Sequence, residues 1–365
     1  MKKIVSCVIN DLNNDQRMQR ICNTLQDAGY DTTLVGRVLH TSKPISNAVY
    51  KQERLTCWFN KGKLFYLEMN VRLFFYLLKT PADILVANDI DTIIAVYAAS
   101  VCKRSKRIFD AHELFSEVPE LEGRPLSKTI WRHIEKWFIP TFKYKYTVSN
   151  SIIQYYKELY HQEFKLIRNV PKIESTINQE NKYISKPYIL YQGALNDGRG
   201  LESMIEAMQY IEKYNLKIAG TGDIEQQLKQ QVQDLKLQHK VQFLGLLYPA
   251  QLKEITLSAS IGINLLENKG LSYYYSLANK FFDYMHAAVP SINMNFPEYQ
   301  KINQQFEISI LIDSLDIDEI RKAIRHLSDA ETYERLHQNC LKAKKEFNWQ
   351  TESKKLIELY NQSEN

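Results

Sequence analysis

The feature that most constrains this chain is an alternation of short apolar runs and helical periodicity that stops once and then restarts. Lys3–Ile9 is a short apolar run suited to a buried parallel strand. Behind it, Met18, Ile21, Leu25 and Ala28 share one face of a helix expected over Asp15–Ala28, with Gly29 as its stop. Further strands are expected at Asp31–Gly36, Ala82–Ala87, Arg107–Ala111 and Lys145–Val148, with helices over Asp91–Cys102 and from a Ser149 cap to Tyr160. Residues 171–186 hold Pro171 and no apolar periodicity, and read as a linker. The alternation then resumes. Strands are expected at Tyr188–Gln192, Leu216–Ala219, Val241–Leu244, Ile261–Leu266 and Pro290–Met294, interleaved with helices and followed by a helical tail from Asp316. Such alternation predicts doubly wound parallel sheets. The expected architecture is α/β: two Rossmann-like domains, 1–170 and 187–345, facing across a cleft where ligands meet the carboxyl ends of the strands. Residues 346–365 are expected to form a C-terminal helix that returns to the first domain.

Charge narrows the class of partner. Residues 1–180 carry a net charge of +7 and the remainder −2, so the front half suits an anionic partner or simply a solvated surface. No helix-turn-helix, zinc-finger or RNA-recognition signature accompanies the basic residues, so no nucleic acid is expected. Five scattered cysteines without a Cys-x-x-Cys pair argue against a zinc ribbon or a disulfide framework and for a reducing compartment. No signal core or membrane span is visible: the most apolar stretch, Ile84 to Cys102, is interrupted by Asn88, Asp89 and Asp91. A cytoplasmic protein is expected, peripheral at most to a membrane. Two basic, aromatic stretches, Lys61 to Lys79 and Trp131 to Phe138, suit either an anionic membrane interface or helices packed in the core.

Several constellations could carry chemistry. Gly193 to Gly200 is a glycine-bearing loop between strand and helix, in which backbone N–H groups and Arg199 favour an anion. It is neither a P-loop nor a Gly-x-Gly-x-x-Gly turn, and an ordinary turn is the plainer reading. Gly220 and Gly222 form a second such turn. In Asn279-Lys280-Phe281-Phe282-Asp283, Lys280 and Asp283 share one helix face near its start. The lysine suits a diphosphate and the carboxylate a pair of ribose hydroxyls, unless the two form a surface salt bridge. His112 and Glu113 end the strand at Asp110; a histidine there can hold a sugar hydroxyl or stabilise developing charge, or be structural. In the loop after the first strand, Arg17 and Arg20 either meet phosphate or are solvated. Asp89-Ile90-Asp91 has metal-motif spacing, but Asp91 reads as a helix start, and no metal is expected.

In order and spacing these pieces resemble retaining glycosyltransferases of the GT-B fold, of the family-four (group 1) type. The carriers are Asn10-Asp11…Asp15-Gln16-Arg17…Arg20, Phe109 to Phe115, Arg168-Asn169-Val170-Pro171, the Gly193 loop, the Gly220 turn and Lys280 to Pro290. The resemblance implies transfer of a hexose from a UDP- or GDP-sugar to a glycan or lipid-linked acceptor, in bacterial cell-surface polysaccharide synthesis. Neither metal nor other cofactor is implied. It implies donor contacts at Gly193, Arg199, Gly220, Gly222, Asn279, Lys280 and Asp283, catalytic roles for His112 and Glu113, and acceptor contacts at Asp15 and Arg17. Arg199 stands where the family usually has Lys, and Asp283 where Glu is usual. Ala194 and Tyr275 stand where Arg and Glu are usual. A nucleotide-sugar epimerase or hydrolase, or a non-catalytic partner of another transferase, would use the same architecture.

Overall fold

The computed structural model describes residues 1–13, 15–40, 42–174 and 187–364. It divides into two compact units, Met1–Asn169 with Glu352–Asn365, and Val170–Thr351. The core of the expected linker, residues 175–186, lies outside the described residues.

The first unit is built on seven parallel strands: β1 (Lys3–Cys7), β2 (Asp31–Arg37), β3 (Lys51–Leu55), β4 (Ile84–Asn88), β5 (Lys106–Ala111), β6 (Tyr144–Thr147) and β7 (Lys165–Leu166). Their order is β3-β2-β1-β4-β5-β6-β7, so the winding reverses between β1 and β4. The inner strands are continuous buried runs, and β4 is buried at all five residues because helices cover both faces. The helix Gln16–Asp27 follows β1; Asp15 caps it by accepting the Met18 N–H (3.0 Å). Ser149 likewise caps the helix Asn150–Tyr160. The expected helix at Asp91 begins instead at Ile93, after a single 3-10 turn, Ile90–Thr92.

The second unit has six parallel strands: β8 (Tyr188–Gln192), β9 (Asn215–Ala219), β10 (Val241–Gly245), β11 (Ile261–Asn264), β12 (Ser291–Met294) and β13 (Ser309–Ile312). Their order is β10-β9-β8-β11-β12-β13, and the winding reverses between β8 and β11. A glycine at the middle of β11 explains how the next helix seats. A Cβ on Gly262 would collide with the ring of Tyr284. Without it, Tyr284 lies flat on the strand and donates to the Leu190 carbonyl (2.9 Å). Phe281, Phe282 and Met285 bury beside it. The helix Asn279–His286 is thereby fixed against the reversal point.

Two expected boundaries move. Val170 and Phe347 are part of the second unit's core cluster, so 170 and 346–351 belong to that unit. The last helix runs Trp349–Glu364, and its residues from Glu352 onward pack in the first unit. There Tyr30 donates to Asn361 (2.8 Å), and buried Glu352 pairs with Arg168 (3.5 Å).

Candidate functional site

In the second unit, the β8 loop crosses the β9 turn at backbone contact distance. Gly193 N–H donates to the Ala219 carbonyl (2.9 Å), Leu195 N–H to Thr221 (3.0 Å) and Gly220 N–H to Gly245 (2.8 Å). A Cβ on Gly220 would strike the Gly193 carbonyl, and one on Gly222 the Leu195 carbonyl. These glycines are therefore required by chain packing. The amide hydrogens of Gly193 and Gly220, expected to face an anion, are spent on carbonyls. The helix that follows, Leu201–Ala207, has only seven residues and offers little dipole of its own.

What remains for an anion is a pair of side-chain cations. Lys280 is buried, and its Nζ lies over the Tyr191 ring, 3.7 Å from the centroid. Gly193 makes room for it, since a Cβ there would sit 3.2 Å from Nζ. Arg199 lies over the Tyr273 ring, 4.7 Å from the centroid, with its Nε buried and unpartnered. Among the described residues neither cation forms an ion pair. Lys269, by contrast, is satisfied by Asp197 and Glu267, both at 2.9 Å. Burial holds the Lys280 ammonium well below its ordinary range, the charge of Arg199 adds to the effect, and Asp283 opposes it. The surface salt bridge considered for Lys280 and Asp283 is not formed: Lys280 is inside. Gln192 donates to the Asp283 carboxylate (2.8 Å), and Thr256 holds the Gln192 carbonyl oxygen (2.8 Å). Asn279 opens the helix and is exposed. No role follows from sequence for Gln192, Tyr191 or Tyr273; the fold brings them to the loop.

In the first unit, the reversal point between β1 and β4 gathers a different set. His112 follows β5 with its imidazole about 35% exposed. Asp89, buried after β4, accepts the His112 backbone N–H (3.0 Å) and pairs with Nδ1 (2.6 Å). Burial by itself would lower the imidazole pKa, and Arg17 works in the same direction. The charge and close contact of Asp89, with help from Glu113, outweigh both, and the group is pushed up to about 10. Glu113 is half-buried beside it. Asp91, in the adjacent turn, is raised well above the usual carboxylate range by burial and by Asp89.

The two residues expected at the acceptor, Arg17 and Asp15, carry bonds within the unit. Arg17 does not reach outward: its guanidinium is clamped to the fully buried Asp110 by bonds of 2.5 and 2.6 Å. Asp15 serves as the helix cap described above, with Asn10 Nδ2 at 3.4 Å from its second oxygen. Both face structural demands that the sequence does not display. Arg20 likewise donates to Asn169 (2.5 Å).

Residues 172–347 match the family model for glycosyl transferases group 1. Over 172 residues the chain is 24% identical to a Campylobacter jejuni GalNAc-alpha-(1->4)-GalNAc-alpha-(1->3)-diNAcBac-PP-undecaprenol alpha-1,4-N-acetyl-D-galactosaminyltransferase, covering 46% of this chain and 45% of that protein. The chain spans less than half the length of the curated relatives it matches. Among solved structures it is similar to sucrose-phosphate synthase from Thermosynechococcus elongatus, with a TM-score of 0.82 at 16% identity over 99% of each chain. It is also similar to Anabaena HepE in complex with UDP and glucose, with a TM-score of 0.76 at 12% identity over 99% of this chain and 100% of that one. The fold of these neighbours is GT-B, and it is the fold of this chain.

Proposed function

We propose that this chain, whose residues 172–347 match the model for group 1 glycosyl transferases, transfers a hexose from a UDP- or GDP-sugar to a glycan or lipid-linked acceptor, with retention at the anomeric carbon. One observation carries this reading: Lys280 and Arg199 sit together at the loop after β8 with no ion pair among the described residues. A buried charge without a partner is costly unless a ligand supplies the opposite charge. When the bond from the anomeric carbon to the diphosphate oxygen breaks, the electron pair stays on the diphosphate. Lys280 and Arg199 stabilise that charge, and the acceptor hydroxyl passes its proton to the departing diphosphate oxygen as it bonds to the sugar. Asp283, steadied by Gln192, accepts the ribose hydroxyls. No metal takes part in the reaction as we propose it. The named activity of the Campylobacter relative, on an undecaprenol-linked glycan, supports a lipid-linked acceptor and a place in cell-surface polysaccharide synthesis.

A surface feature supports work at the inner face of an anionic membrane. The helix Gly62–Lys79 is apolar on two sides. Phe65, Met69, Leu73 and Leu77 pack inward, while Leu64, Leu67, Val71, Phe75 and Leu78 form an exposed stripe at helical spacing. Trp58 precedes it, 82% exposed, and Lys61, Lys63 and Lys79 flank it. Tyr66 of this helix meets Trp131 of the helix Pro125–Phe138 edge to face (5.1 Å), where Leu126, Ile130 and Trp137 are exposed as well. Apolar stripes bordered by lysines suit the headgroup region of anionic lipid. No helix among the described residues is long and apolar enough to cross a membrane.

The direct test is a thermal-shift panel of UDP, GDP and their hexose conjugates. A nucleotide at 100 times its dissociation constant should raise the melting point by roughly 5–10 °C. Product analysis then separates transfer from hydrolysis. If neither nucleotide shifts the melting point, or if sugar is released at the same rate with and without any acceptor, the reading is wrong.

A further inference from the structure

The residue on which the first unit concentrates its strain is Asp89. Its backbone sits at φ 60°, ψ 171°, a region that belongs to glycine almost alone. The surroundings fix it there. Its N–H donates to the Asp110 carbonyl (2.7 Å), and Asn70 pins the following turn by donating to the Asp91 carbonyl (2.7 Å). That conformation turns both carboxylate oxygens onto one residue, Oδ1 to the His112 backbone N–H and Oδ2 to its Nδ1. With Nδ1 held, the imidazole presents Nε2 outward, and no group among the described residues occupies it.

We infer that Asp89 is the positioning residue for His112, and that the clamp makes His112 a cationic Nε2–H donor to a substrate oxygen and not a general base. A base would need Nε2 unprotonated with its lone pair available, and a carboxylate on Nδ1 favours the doubly protonated ring instead. The charged groups around the ring are Asp89 and Asp91 from the β4 turn, Glu113 beside it, and Arg17, whose charge is already matched by Asp110. The balance is acidic, in keeping with the elevated proton affinity described above. The linkage has a definite sign. The folded pKa is above the unfolded one, so the stabilisation is full below the ordinary histidine value of about 6.5 and is lost as pH rises through about 10.

The inference rests on the proposed transfer reaction for its purpose, but its test need not. Side-chain NMR of histidine in the full chain, with His112 identified by the missing signal in His112→Gln, reads its charge directly. In the wild type His112 should remain imidazolium through pH 8. In Asp89→Asn its midpoint should fall by two units or more. A wild-type midpoint near 6.5 overturns the inference, as does an unmoved midpoint in the variant. Asp89→Gly separates clamp from strain: it removes the carboxylate and suits the backbone, so it should melt above Asp89→Asn while showing the same midpoint shift. Donor turnover then supplies the functional half, because the alkaline limb of its pH profile should move to lower pH in both variants. A profile that superimposes on the wild type removes Asp89 from the mechanism. Absence of turnover in the wild type would strike the proposed function and leave the NMR result standing.

Discussion

At the carboxyl edge of the first sheet, Arg17 is clamped to Asp110 and His112 to Asp89, whereas at the same edge of the second, Lys280 and Arg199 form no ion pair among the described residues. The two edges share topology and reversal point, yet one is internally satisfied and the other is not. A satisfied edge holds its shape without ligand. An unsatisfied one tolerates desolvated charge in the free protein and recovers that cost when an anion binds. In the proposed reaction the first edge orients and the second captures.

The largest effect expected from this contrast is at Lys280. Lys280→Met keeps most of the apolar stem and removes the charge. Affinity for UDP or GDP, measured by calorimetry, should fall by two to three orders of magnitude, about 3–4 kcal/mol. The unliganded variant should melt no lower than the wild type, because a buried cation without a partner has been removed. Since Lys280 must be protonated to hold a diphosphate and burial weakens its hold on that proton, affinity should decline as pH rises, by at most tenfold per unit. Lys280→Arg should flatten that slope. Undiminished affinity in Lys280→Met would erase the distinction between the two edges.

Arg17 should behave in the opposite way. Arg17→Met leaves the fully buried Asp110 alone, and loss of one partner of a buried pair costs about 3–5 kcal/mol. Urea midpoints should show the drop, and Arg17→Met with Asp110→Asn should recover much of it. Nucleotide affinity should not change. A weakened nucleotide affinity in Arg17→Met with an intact urea midpoint would return Arg17 to the ligand-binding role first expected of it.

The sheets were legible in the sequence because parallel strands buried on both faces read as unbroken apolar runs, as at Ile84–Asn88 and Ile261–Asn264. β3 was not, because Lys51-Gln-Glu-Arg-Leu55 is a partly exposed edge strand with no such run. Gly193, Gly220 and Lys280 could be picked out by their place between strand and helix. Their division of labour could not, since it depends on which amides the crossing loops consume. The pairing of Arg17 with Asp110 was not legible because the partner lies 93 residues away. The importance of Asp89 resides in a dihedral angle that no local pattern specifies.

The smallest effect on stability, and the sharpest on location, is expected at the exposed stripe. Leu67 is 63% exposed and Phe75 56%, so replacing both by Glu should alter stability by no more than about 0.5 kcal/mol per site. If the stripe enters the headgroup region, the wild type should sediment with anionic vesicles at low salt and much less with zwitterionic ones. The double variant should stay in the supernatant, because it places two carboxylates where apolar side chains met lipid and sets them against the flanking lysines. Nucleotide affinity serves as the internal control, since Lys280 and Arg199 belong to the other unit. Sedimentation that survives the double substitution would assign the attraction to the basic residues alone and leave the apolar stripe without a membrane role.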